Sequence, residues 1–137
     1  MSTRDRVSFI ALGLAIWAAG TFVYRLTGVT FFEGTTIGYW LNLGFTGIAY
    51  TAMALGVMKW RKIEQKDWLQ CAICIALPGM LGEIPILASF SEIMSNMHPE
   101  TAGRYAAFLF GGYSTLISAA WLMSAKTNTR SVPEADM

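Results

Sequence analysis

Residues 34–58, GTTIGYWLNLGFTGIAYTAMALGVM, run for 25 positions without a charge between Glu33 and Lys59. A hydrocarbon core of about 30 Å is crossed by roughly 20 helical residues at about 1.5 Å each, so this stretch spans a bilayer with length to spare. The pattern recurs on both sides of it. Residues 7–24 lie uncharged between Arg6 and Arg25, and residues 105–125 lie uncharged between Arg104 and Lys126. Residues 68–90 carry one charge, Glu83, and two prolines, Pro78 and Pro85. The chain therefore reads as an all-α bundle of four transmembrane helices in one domain over residues 1–125. Its spans are expected at about 7–25, 36–58, 68–90 and 103–125, and the polar tail 126–137 is expected to be disordered.

Composition agrees. Of 137 residues, 54% are hydrophobic and 14% charged, against about 25% charged in an average soluble domain. Ten Lys and Arg against nine Asp and Glu leave a charge of +1, too little for the basic footprint of a nucleic-acid binder. The expected partner is the lipid bilayer. A cleaved signal peptide ending near Ala18, Ala19 and Gly20 is the alternative for the first span. Its apolar run exceeds the usual core of about 7–15 residues, and cleavage would leave an odd number of spans, so the helix is expected to stay.

Basic residues near helix ends resist translocation, so their distribution orients the bundle. Arg4, Arg6, Lys59, Arg61, Lys62, Lys66, Lys126 and Arg130 fall on one side, and Arg25 and Arg104 on the other. This split predicts both termini in the cytoplasm and a location in a bacterial inner membrane. An aromatic belt is expected from Trp60, Trp68 and Trp121 at the inner level and from Tyr24, Tyr39, Trp40, Phe90 and Tyr105 at the outer. The basic connector at Lys59, Arg61 and Lys62 also suits anionic headgroups.

Helices in lipid associate through ridges of small residues. Such ridges stand at Ala11, Ala15 and Ala19; at Gly38, Asn42 and Thr46; and at Gly103, Ala107, Gly111, Thr115 and Ala119. They serve packing within one bundle or, on the fourth span, the seam of a homodimer.

Glu83 is the residue that needs explaining, because a carboxylate in hydrocarbon requires a partner, a proton or water. It lies about 22 Å along the third span from its cytoplasmic start, and Arg25 lies about 27 Å along the first span, which also starts inside, so the two are expected at nearly the same depth. An Arg25–Glu83 bridge is the structural expectation. The functional alternative is a proton or cation site, where Pro78, Gly79, Gly82 and Pro85 break the helix and leave room for a solute.

Other candidates are weaker. Cys71 and Cys74 share a helical face and read as inert buried thiols. Met94, Met97 and His98 have the ligand types for outer-face copper(I), yet Pro99 and Glu100 also form an ordinary helix start. No catalytic dyad, phosphate loop or cofactor motif appears, so an enzyme is not expected. The leading expectation is a non-enzymatic protein acting through helix contacts with itself or another membrane protein. A proton-coupled small-solute carrier using Glu83 stands second, and copper handling third.

The chain also resembles a family of small bacterial integral membrane proteins known only as a domain of unknown function. The resemblance rests on Ile16 and Trp17 with Thr21, Arg25, Gly28, Phe31 and Phe32. It continues through residues 76–81, ALPGML, to the acid at Glu83, and through Phe108 and Tyr113. It implies four membrane spans, no established activity, and Arg25 and Glu83 as a matched pair. Family members often carry aspartate at the position of Glu83. Gly82 and Pro85 stand where larger apolar residues are usual, which predicts an irregular third helix.

Overall fold

A computed structural model describes residues 1–130; residues 131–137, the end of the expected tail, lie outside the described residues. Four long helices, α1 (Thr3–Phe32), α2 (Thr36–Trp60), α3 (Trp68–Ala88) and α5 (Ala102–Arg130), carry the fold, with a single turn, α4 (Phe90–Ile93), before the last. All four are long and apolar enough to cross a membrane, as in an integral membrane protein.

Local chemistry sets the helix ends. Ser2 caps α1 in a capping box: its hydroxyl accepts the Asp5 amide at 3.1 Å, and Asp5 accepts the Ser2 amide at 3.2 Å. The Thr35 hydroxyl caps α2 by accepting the Gly38 amide at 3.0 Å. α2 ends where Lys62 enters the left-handed region at φ 56° and the Ile63 amide returns to the Met58 carbonyl at 3.0 Å. Helices outrun the expected spans. α1 continues past Arg25 to Phe32 and α5 continues to Arg130, because end-of-helix cations reach the interface on flexible stems. The expected disorder is thus corrected at Lys126 to Arg130, which are helical.

α1 packs chiefly on α3, α3 on α5, and α5 on α2, leaving the seam between α1 and α2 thin. The N-terminus, the last turns of α5 and the α2–α3 turn meet at one end. There the Met1 amino group pairs with Asp67 at 3.1 Å, Arg61 pairs with Asp5 at 2.9 Å, and Ser124 donates to the Gln65 carbonyl at 2.9 Å. At the opposite end Glu33 accepts from the Thr101 hydroxyl at 2.6 Å and from the His98 amide, tying α1 to the start of α5. Those two donors, Thr101 first, hold the Glu33 carboxyl below its ordinary value.

The core has two parts. One gathers Phe9, Met58, Cys71, Ile75 and Leu116, and the other Phe32, Tyr39, Phe90, Met94, Met97, Tyr105 and Phe108. This corrects the aromatic belt: Trp60, Trp121 and Trp40 are exposed, but Trp68, Tyr39, Phe90 and Tyr105 are buried. Two of these buried rings use their polar tips locally, Tyr39 donating to the Arg104 carbonyl at 2.9 Å and Trp68 to the Ile63 carbonyl at 3.1 Å.

The closest backbone approach is made by glycine. A Cβ at Gly13 would overlap the carbonyl of Ile75, so α1 and α3 cross backbone to backbone there. The expected ridge of Ala11, Ala15 and Ala19 instead faces outward. On α5, Gly111 meets Leu43 and Thr115 approaches Gly47, so the middle of that ridge packs on α2, while Gly103 has open space beside it and Ala107 is exposed.

Candidate functional site: a membrane-level cavity around Glu83

The third span is one unbroken helix. Pro78 and Pro85 remove the amide donors to the carbonyls of Cys74 and Leu81, yet α3 runs through both. The expected break is corrected, and the glycines have another use. A Cβ at Gly79 would overlap the Tyr113 hydroxyl, and one at Gly82 would overlap the Trp17 indole, so both glycines are seats for aromatic rings from neighbouring helices. These rings brace α3 where the prolines weaken its own hydrogen bonding.

That packing turns Glu83 into the bundle. The residue is 5% exposed, and its Oε2 is buried without a hydrogen-bond partner. The expected bridge to Arg25 is absent. Arg25 points outward, and none of the ion pairs among the described residues includes either side chain. An expectation of equal depth leaves azimuth open, and Arg25 follows Tyr24, which faces inward. The Trp17 indole stands beside the carboxyl, short of hydrogen-bond geometry.

Glu83 forms part of the wall of a cavity of about 330 Å³. α1 contributes Trp17, Gly20, Thr21 and Tyr24; α2 contributes Phe45, Thr46, Gly47 and Tyr50; and α5 contributes Tyr105, Phe108, Gly112 and Tyr113. Its rim reaches the outer face of α2 at Phe45 and Met53, both exposed. Besides Glu83 Oε2, two more lining atoms are buried without a partner, Trp17 Nε1 and Thr21 Oγ1. Among the described residues three further such atoms lie outside the lining, on Asn42, Thr51 and Asn96, so what distinguishes the cavity is that one of its buried, unpartnered atoms belongs to a carboxyl. Between α1 and α2 the Tyr24 hydroxyl donates to Asn42 Oδ1 at 3.1 Å and the Thr46 hydroxyl donates to the same oxygen at 3.3 Å, while Asn42 Nδ2 is buried without a partner. Asn42 thus joins α1 to α2.

The chain belongs to a family of unknown function, DUF5367. The family model matches residues 31–127, which include Glu83, Phe108, Tyr113, all of α2 and α3 and all but the end of α5. Ile16, Trp17, Thr21, Arg25 and Gly28, on which the resemblance also drew, precede the match. No curated protein and no solved structure gives a significant match.

The remaining candidates do not converge on a site. Met94 and Met97 are buried in the second core cluster, with Met97 filling the notch at Gly28, while His98 is exposed. The two thioethers are therefore turned away from the imidazole. Cys71 is buried and Cys74 half-buried, and neither is bridged. The sequence reading missed the aromatic walls. Tyr50 and Tyr113 lie far from span ends, where a phenol has no interface to reach, and that position was the available signal.

Proposed function

We propose that the protein is a non-enzymatic, multi-pass protein of a bacterial inner membrane that binds a small solute at Glu83 and exchanges it for a proton, as a proton-coupled carrier does. The observation that carries this reading is the buried, unpaired carboxyl facing a cavity large enough for a small ligand. With no cation beside it, a charge on Glu83 is neutralised only by a proton or by what enters the cavity. The end that gathers the N-terminus, the last turns of α5 and the α2–α3 turn carries eight of the ten Lys and Arg residues, which supports a cytoplasmic assignment for that end.

Dicyclohexylcarbodiimide, a lipid-soluble reagent for protonated carboxyls, tests access to the site. In reconstituted protein we expect mass spectrometry to find Glu83 labelled, and labelling to fall sharply in Gly20→Leu/Gly112→Leu. Those glycines line the cavity and have nothing within 4 Å of an added Cβ. An unlabelled Glu83, or equal labelling in the filled variant, overturns the reading.

A second reading, contact with a second copy or another membrane protein, is favoured by the outward ridge of Ala11, Ala15 and Ala19. Ala15→Leu lowering the oligomeric state in nanodiscs supports it, and an unchanged monomer removes it.

A further inference from the structure

Resting on the reading that the cavity binds a solute, we infer that its occupant is an apolar organic cation: an amine or quaternary ammonium whose charge meets Glu83 and whose substituents lie against the aromatic walls. Glu83 is the one formally charged residue in the lining. The titratable groups around it are Tyr24 of α1, Tyr50 of α2, and Tyr105 and Tyr113 of α5, all acids when they ionise and none of them basic. An anion would therefore meet a carboxyl and the negative faces of rings, with no counter-charge.

A hydrated metal ion fits no better. Such ions require several oxygen ligands, and no group of three His, Cys, Asp or Glu that could hold a metal occurs among the described residues. A neutral apolar molecule would fill the space but leave Glu83 Oε2 as it is, buried and unpartnered. An organic cation satisfies each feature at once. Its charge compensates the carboxylate, the ring faces of Trp17 and the tyrosines stabilise it through their quadrupoles, and its apolar arms suit walls that are otherwise hydrocarbon. The volume of about 330 Å³ lies at the small end of ligand cavities, which suits one ring or a few short alkyl arms around the nitrogen.

Exchange follows from charge balance. The Glu83 proton leaves as the cation arrives, so the net charge of the site stays at zero in both states and cation and proton compete.

The test uses the full chain in nanodiscs and benzyltrimethylammonium as probe, with its uncharged carbon isostere neopentylbenzene as comparison, both followed by saturation-transfer NMR. We expect the cation to bind roughly tenfold or more tightly than the isostere. We expect Glu83→Gln to remove that advantage and Glu83→Asp to retain part of it, with cation affinity weakening as pH falls. Equal binding of the isostere, or cation affinity unchanged in Glu83→Gln, overturns the ligand class and leaves the solute cavity standing. If neither molecule binds while carbodiimide still labels Glu83, the class again fails alone. If neither binds and Glu83 is unlabelled, both readings fall.

Discussion

Replacing Gly13 with alanine should destabilise the bundle, whereas the same replacement seven residues later at Gly20 should not. Both glycines lie within α1, so both substitutions gain the same helix propensity, about 1 kcal/mol. That gain cancels in the comparison. At Gly20 an added Cβ has nothing within 4 Å, and at Gly13 it overlaps the Ile75 carbonyl. A backbone oxygen inside α3 cannot rotate away, so α1 and α3 must separate where Phe9, Cys71, Ala72 and Ile75 pack. A gap of roughly 0.5–1 Å forfeits a quarter to a half of each contact's dispersion energy. Overpacking of this kind costs about 1–3 kcal/mol, which is the expected stability difference between Gly13→Ala and Gly20→Ala. Reversible unfolding in mixed micelles with increasing dodecyl sulfate, followed by circular dichroism, measures it. Two variants of equal stability would refute the crossing at Gly13.

Further outcomes follow from other contacts. Gly79→Ala should destabilise through the Tyr113 hydroxyl, and Tyr113→Phe should rescue part of the loss, so a double-mutant cycle in the same micelles should give a favourable coupling. Tyr24→Phe removes the donor to Asn42 and should cost about 0.6 kcal/mol, the usual size for an interhelical hydrogen bond in a membrane. Lys62→Gly should stabilise by about 1 kcal/mol, because glycine adopts the left-handed conformation without the Cβ penalty. The Glu33 carboxyl is held below its ordinary value of 4.5 by Thr101 and the His98 amide. Its contribution is therefore present above pH 4.5 and lost as pH falls through the lowered folded value. Acid titration of stability should show that loss in the native chain and not in Glu33→Gln.

The four helices were legible because charge-free length is a one-dimensional property, and residues 34–58 carry it without ambiguity. Rise per residue gave only an expected depth for Arg25 and Glu83, and azimuth was not legible at all. Tyr24 and Arg25 are adjacent, yet one faces the cavity and the other the outside, and the contacts that Tyr24 makes with α2 and α5 decide which. The small-residue ridge on α1 failed for a related reason. Ala11, Ala15 and Ala19 have the spacing of a contact face, but the closest approach needs the absence of a Cβ at Gly13. Pro78 and Pro85 suggested a broken helix because their effect on their own helix is readable in sequence. The support that Trp17 and Tyr113 bring from other helices is not. The same distance in sequence hid the cavity, whose walls come from residues as far apart as Gly13 and Tyr113.

Infrared difference spectroscopy of the Glu83 carboxyl in reconstituted protein tests the central claim most directly, with the band assigned by its loss in Glu83→Gln. If Glu83 is an unpaired acid that exchanges its proton for a cationic solute, adding benzyltrimethylammonium should convert the protonated-carboxyl band to carboxylate, and Arg25→Gln should leave the band where it was. A band that ignores the cation and shifts in Arg25→Gln would contradict the account and restore the ion pair.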